Sequence, residues 1–600
     1  MAMKDDVAGQ NLEKLNENLS KVEELSQRFI QALAARTPAN PTLNGPSQDL
    51  FAKAASSYWS EMFENPGKIY EQQLDYWGKS VRHFLESQQM MLRGDTTGEP
   101  SEPDPLAGDK RFANPLWNTH PYFKYIKQQY AMNAKAIENA LGDVDDLTPK
   151  DKKRLDYFAH QIIDMMAPTN FLGTNPDALE RAVETEGESL VKGLENLIAD
   201  LEANKGEMVV RLADDKAFEL GVNIATAPGE VIYRNRMMEL IQYAPTREEV
   251  HEIPLIIFPP WINKFYIMDL KPENSLIKWI TDQGYTLFVV SWVNPDASYA
   301  DVGLEDYIDE GFLTAIREVK AITGQKQVNT VGYCIAGTTL HLTLALLAKR
   351  GDKSVKSATF FTALTDFSEQ GEFTPFLQDD FIDGIEDEVA AQGVLRSFIM
   401  SRTMSFLRSR DLIYQPAVRS YMMGEAPPAF DLLYWNGDGA NLPGRMTVQY
   451  LRQLCQSNDF VTDGYKILGE TLHIRDVKVP LMAITCETDH IAAWKDCYRG
   501  FQQTGAKDRS FILSESGHIA GIVNPPTKKK YGHYTNDDLS GTAEAWIAGA
   551  QDHEGSWWPR WEAWLRNRSG KMVAAPTPGD SDHPPLAPAP GTYVRKKASL

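Results

Sequence analysis

Residues 328–350 read VNTVGYCIAGTTLHLTLALLAKR, and this stretch decides the fold. Val328–Gly332 is a short β-rich run. From Ile335 the chain continues as a long apolar stretch, LHLTLALLAK, which reads as a helix running to Arg350. Cys334 lies between them, two residues after Gly332. A strand, a sharp turn and a helix, with a nucleophilic side chain at the tip of the turn, form a nucleophile elbow. The turn is tight, so the positions two before and two after the nucleophile must be small. Here they are Gly332 and Ala336, followed by Gly337. Alanine in place of the second glycine is a departure, and it fits because a methyl is the smallest side chain. The helix N-terminus points its free N–H groups and positive dipole end toward Cys334, an arrangement that favours a thiolate.

Working outward, short apolar runs alternate with helical stretches from about residue 207. The runs are Ile253–Phe258, Thr286–Trp292, Val328–Gly332, Ala358–Leu364, Pro480–Thr485 and Ser510–Leu513. Continuous apolar runs separated by helices predict a parallel sheet covered on both faces. The stretch between Leu364 and Pro480 is too long for one crossover, and residues 366–476 are expected to form a cap or lid over the active face.

A nucleophile needs a base, and the base needs an acid to orient it. The acid is expected after a late strand and the histidine after the last. PLMAIT runs into Cys486-Glu-Thr-Asp489-His490, and SFIL runs into Ser514-Glu-Ser-Gly517-His518. The order therefore gives Cys334, Asp489, His518, with Glu487 and His490 as rival acid and base. The oxyanion hole needs two backbone N–H groups. Ile335 supplies one, and the loop Pro259–Lys264, with Ile262 at its centre, supplies the other. Together these features predict an α/β-hydrolase fold with a cap insertion, spanning residues 206–572.

Residues 1–205 read as a mainly helical N-terminal domain. An amphipathic helix at 11–35 places Leu12, Leu15, Leu19 and Val22 on one stripe, for packing on the protein itself or docking on a partner. Segments 36–50 and 92–110 read as linkers. Aromatic residues are frequent, from Tyr58, Trp59 and Trp77 to Trp117, Tyr122, Phe123, Tyr125 and Tyr130, and are assigned to the core. Residues 573–600 begin with VAAPTPGDSDHPPLAPAPGT, and the Pro-rich composition predicts a tail.

A net charge of −21 argues against a nucleic-acid partner, which would need a basic face. The four cysteines, Cys334, Cys455, Cys486 and Cys497, form no CxxC pair, so neither a disulfide framework nor a zinc site is expected. No stretch approaches the roughly 18 unbroken apolar residues of a membrane helix, and the N-terminus lacks a signal-peptide core. A cytoplasmic protein without a metal or organic cofactor is the expectation. A cysteine nucleophile suits thioester substrates, because thiolate-for-thiolate exchange keeps the acyl group activated.

The GYCIAG box, a lipase-like box with cysteine as nucleophile, resembles that of the polyhydroxyalkanoate synthases. Similar stretches extend through PTNFLGTNP (168–176), GVNIATAPGEVIYRN (221–235), FPPWINKFYIMDL (258–270), SWVNPDAS (291–298), LLYWNGDGANLP (432–443), SGHIAGIVNP (516–525), GSWWPRW (555–561) and APGTYV (589–594). The size is similar to the class I enzymes. Ala336 and Val293 depart from residues usual in the family. The resemblance implies polymerisation of (R)-3-hydroxyacyl-CoA, here short-chain 3-hydroxybutyryl-CoA, with CoA release through a Cys334 acyl-enzyme. It also implies a homodimer on cytoplasmic polyester granules, with possible granule-coat partners. Trp435 and Asn441 become candidates for the cap contact or substrate positioning. A thioesterase or intracellular depolymerase on the same fold is the alternative, since fold alone does not fix function. A granule-coat protein with a dead catalytic domain is the third reading, and the intact Cys334, Asp489 and His518 argue against it.

Overall fold

The computed structural model describes residues 106–142 and 147–598, with Asp104 and six positions between Lys21 and Ala32. The chain divides into two compact units. One is Met1–Leu212 with Arg402–Pro428; the other is Ala213–Ser401 with Ala429–Leu600.

The first unit is helical where described. Its longer helices are α1 (Pro121–Gly142), α2 (Pro149–Met165) and α3 (Glu188–Ala203). The start of α2 is written locally. Thr148 accepts from the Asp151 N–H, Pro149 opens the first turn, and Asp151 places a negative charge at the positive helix end. Phe112, Trp117, Phe123, Tyr130 and Ile163 pack together as a core. Tyr122 departs from the expected core placement: it is exposed, with its hydroxyl donating to Gly173 O. Of the expected helix at 11–35, the described positions are helical, and Leu25 packs on Val191 and Ile198. Leu12, Leu15, Leu19, Val22, the linker at 36–50, most of that at 92–110 and the aromatics from Tyr58 to Trp77 lie outside the described residues.

The cap segment does not act as one insertion. Residues 402–428 belong to the helical unit, where Asn196 of α3 donates to Ser420 O and Glu425 O. Tyr421 donates to the buried Asp200, and a side chain at Gly193 would collide with Tyr421 O at 2.0 Å. These bonds join residues far apart in the chain, so local pattern did not announce them.

The second unit is built on one 12-stranded sheet. Its strands are β1 (Gly229–Arg234), β2 (Met238–Tyr243), β3 (Glu249–Phe258), β4 (Tyr285–Trp292), β5 (Val328–Tyr333) and β6 (Val355–Phe361). Then come β7 (Leu481–Cys486), β8 (Arg509–Ser514), β9 (His533–Thr535), β10 (Gln551–His553), β11 (Met572–Ala574) and β12 (Ala587–Pro588). The order is β10-β9-β8-β7-β6-β5-β3-β4-β2-β1-β12, with β11 beside β3. Strands β3 to β8 run parallel and correspond to the predicted apolar runs. All of β4, β5 and β7 is buried, as both-faces-covered strands require. The flanking strands are antiparallel, so the sheet is mixed rather than purely parallel.

The Pro-rich end is not a free tail. β11 pairs with the start of β3, and β12 pairs with β1. Glu239, fully buried on β2, accepts from Thr592 N and Tyr593 N, both at 2.9 Å, and from the Thr592 hydroxyl. Proline is compatible with such edge strands, where one side of the backbone needs no partner.

Candidate active site

Cys334 follows β5 directly and precedes α4 (Ile335–Lys349). Its backbone has φ 52° and ψ −125°, a conformation that side chains disfavour. Two features hold it there. The Cys334 N–H donates to Phe361 O on β6 at 2.8 Å, and a Cβ on Gly332 would lie 2.7 Å from Gly337 Cα. The close approach therefore falls on Gly332 and Gly337. Ala336 is fully buried, so a methyl is accommodated there and the second glycine is not required.

The structure brings Cys334, Asp489 and His518 together. Asp489 lies just past β7 and His518 just past β8, at the strand ends where Cys334 emerges. Asp489 Oδ1 accepts from the N–H groups of Ile491 and Ala492 at 2.8 and 2.9 Å. That grip aims Oδ2 at His518, whose Nδ1–H donates to it at 2.6 Å. Cys334 is near enough to the ring to act on its charge. Burial works to lower the His518 pKa, yet the facing Asp489 and Cys334 hold it well above the usual imidazole range. The rival acid Glu487 is exposed, while Asp489 is buried.

The other thiols differ. Cys455, Cys486 and Cys497 are buried, and burial pushes each thiol up. Cys334 is partly accessible. Among the described residues no group of three or more His, Cys, Asp or Glu side chains converges as a metal cage.

Ile335 opens α4, where first-turn N–H groups lack intrahelical acceptors. The loop after β3 is pinned from several sides. Pro259 O accepts from Trp292 Nε1 at 2.8 Å, and Trp261 Nε1 donates to Thr339 on α4 at 3.3 Å. Ile262 O accepts from Ala440 N, and Lys264 O accepts from Trp435 Nε1 at 2.7 Å. Lys264 Nζ and the Tyr266 hydroxyl both reach Asp438 at 2.8 Å. The segment 435–440 thus clamps the Ile262 loop, and this is what Trp435 does in the fold. Asn441 is buried with its polar atoms engaged: its N–H donates to Asn294, its amide to Pro295 O, and its Oδ1 accepts from Ser397 N. It ties two of the characteristic segments together.

Sequence reasoning missed the tryptophans that fix the His518 loop. α5 (Trp558–Arg566) and the residue before it supply them: Trp557 Nε1 donates to Gly521 O at 2.7 Å and Trp558 Nε1 to Ile522 O at 2.9 Å. Tyr333, next to Cys334, donates to His518 O at 3.2 Å. The GSWWPRW and GYC strings were the available signals, but neither encodes its partner.

Two family models match, the N-terminus of poly-beta-hydroxybutyrate polymerase (PhaC) over residues 108–280 and the alpha/beta hydrolase fold over 254–525. The poly(3-hydroxyalkanoate) polymerase of Methylorubrum extorquens is 40% identical, covering 93% of this chain and 92% of its own. The chain belongs to the poly(3-hydroxyalkanoate) polymerase family. The polymerase subunits PhaC of Rhizobium etli and Cupriavidus necator are 38% and 37% identical, covering 90% and 87% of this chain and 85% and 88% of their own. This polymerase family member is thus an acyltransferase-type enzyme of polyhydroxyalkanoate synthesis on an α/β-hydrolase fold. Val293 is buried with its N–H donating to Met237 O. No described helix is long and apolar enough to cross a membrane.

Proposed function

We propose that the enzyme polymerises (R)-3-hydroxyacyl-CoA, short-chain 3-hydroxybutyryl-CoA first, through an acyl-enzyme on Cys334. The observation that carries this reading is the strained, partly accessible Cys334 facing the His518–Asp489 pair in a chain of this family.

His518 takes the thiol proton, and the Cys334 thiolate attacks the thioester carbonyl. The N–H groups of Ile335 and Ile262 face the developing oxyanion. The carbon–sulphur bond to CoA breaks, CoA leaves as the thiol with the proton from His518, and a new thioester joins the acyl group to Cys334. The 3-hydroxyl of another 3-hydroxyacyl unit then gives His518 its proton and attacks that thioester. An ester forms, and the Cys334 sulphur recovers the proton. Asp489 keeps Nδ1 protonated and stabilises the imidazolium at each transfer. The product is insoluble, so continued growth takes place on the polyester surface, with the enzyme working there as a homodimer.

The test is CoA release from purified enzyme given (R)-3-hydroxybutyryl-CoA, with Cys334→Ala in parallel and the products analysed. Thiol release with insoluble polyester, lost in the variant, is the expected result. Release with only free 3-hydroxybutyrate would replace this reading with a thioesterase.

A further inference from the structure

The loop that carries His518 leaves β8 at Ser514 and returns as β9 at His533, which pairs with Ser514. Just before it returns it presents Lys528, Lys529 and Lys530, all exposed. Among the described residues none of the three makes an ion pair; Lys530 lies over the Tyr531 ring at 4.9 Å. Three adjacent unpaired cations stand out in a chain with a net charge of −21.

The ledge beneath them is anchored by burial and hydrogen bonds. Residues 521–525 are buried, Asn524 Nδ2 donates to Tyr531 O at 2.8 Å, and Gly532 N donates to Glu515 Oε2 at 2.7 Å. Lys529 and Tyr531 are held at φ 50° and 57°, left-handed conformations that non-glycine residues adopt only where surroundings enforce them. A solvated charge run needs neither the anchors nor the strain.

The position is equally informative. Cys334 follows β5, and the lysines precede β9 at the same edge of the sheet. Four strand intervals separate β5 from β9, about 19 Å at normal strand spacing. The pantetheine arm of a CoA thioester matches about five extended residues, or about 17 Å. The arm falls about 2 Å short of that span, a gap that a lysine side chain closes, so a thioester at Cys334 brings its diphosphate and 3′-phosphate within reach of the ledge.

We propose that Lys528, Lys529 and Lys530 form the subsite for the phosphates of the CoA moiety. This rests on the thioester reading of the active site and adds the part of the substrate that the triad does not touch. Cations on a fixed ledge attract a multiply charged phosphate group from solution and hold it by charge–charge contact, which salt weakens.

The test compares two substrates, 3-hydroxybutyryl-CoA and the pantetheine thioester of the same acid, which lacks the phosphates. The wild type favours the CoA thioester in kcat/KM by about tenfold or more, equivalent to modest contributions from three surface cations. In Lys528→Ala/Lys529→Ala/Lys530→Ala the preference collapses toward unity, chiefly through a higher KM, and the corresponding triple arginine variant restores it. Equilibrium binding of adenosine 3′,5′-bisphosphate is measured alongside. Binding by the wild type that is lost in the alanine variant supports the subsite even if no polymer forms, so failure of the polymerase reading is separable. An unchanged substrate preference with unchanged bisphosphate binding in the alanine variant overturns the proposal.

Discussion

The elbow at Cys334 and the chain end at 587–597 are both fixed in place, but by partners at opposite distances along the chain. The elbow is held largely from within, where Gly332 meets Gly337 three residues beyond Cys334. The chain end is held from afar: Thr592 N–H reaches Glu239, a partner 353 positions earlier, and Lys264 donates to Lys596 O. A short-range arrangement can be read from a string of residues. A long-range one leaves only a proline-rich composition, which points the wrong way. Together they show that the geometry of the elbow turn is local while that of the chain end is not.

Perturbing each region sharpens the contrast. The largest effect is expected at the elbow. Cys334→Ala should lower turnover by about four orders of magnitude. Its melting temperature should stay within about 2 °C of the wild type, because one partly accessible sulphur is removed. Asp489→Asn should cost about 10³-fold in kcat with the fold intact, since the amide no longer enforces the Nδ1–H tautomer. A pH–rate profile unaltered in that variant would remove Asp489 from the mechanism.

The frame should respond in stability rather than chemistry. Glu239→Ala leaves the Thr592 and Tyr593 N–H groups and Arg234 without their acceptor, and should cost about 2–4 kcal/mol. Thermal melting with protease digestion of the C-terminal segment checks this; a segment that stays protected would show that other contacts hold it. Within the elbow, Gly337→Ala drives a methyl to 2.5 Å from the Ala363 methyl and should cost about 1–3 kcal/mol. Ala336→Gly should cost about 1 kcal/mol or less. Equal penalties would mean that the close approach lies elsewhere.

The sheet's parallel centre and the grouping of Cys334, Asp489 and His518 were legible because each part rests on a short, continuous signal. Apolar runs gave β3 to β8, and the chain order of Cys334, Asp489 and His518 followed the strand ends. β1 and β2 were not legible. In β2, Glu239 and Gln242 sit on a strand buried throughout, so a charge marks the interior where polarity suggests the surface. β9 to β12 are two or three residues each, too short for periodicity, and β12 contains a proline. The grouping of 402–428 with the helical unit depends on pairs such as Tyr421 with Asp200, and the roles of Trp557 and Trp558 depend on carbonyls in another loop. Composition carries no trace of such partners.

The smallest expected effect lies where the Pro-rich segment meets an ionisable contact. His583 bridges Asp580 and Glu318 at 2.9 and 3.0 Å. Burial works to lower its pKa, but these two carboxylates raise it above the usual value. A raised folded-state value means that the clip stabilises fully below the unfolded pKa near 6.5 and fades as pH rises through the folded one. The melting-temperature gap between wild type and His583→Ala should therefore be wider at about pH 6 than at about pH 9. A gap that widens with pH would contradict the charged bridge.

The central claim is that the growing acyl group is carried by Cys334. Its most direct test is rapid quenching of the enzyme with (R)-3-hydroxybutyryl-CoA, followed by peptide mass spectrometry. The account predicts a 3-hydroxybutyryl thioester on the peptide containing Cys334, absent in Cys334→Ala and strongly reduced in His518→Ala. Polymer formation with the acyl group on another residue, or with Cys334 unmodified throughout turnover, would contradict it.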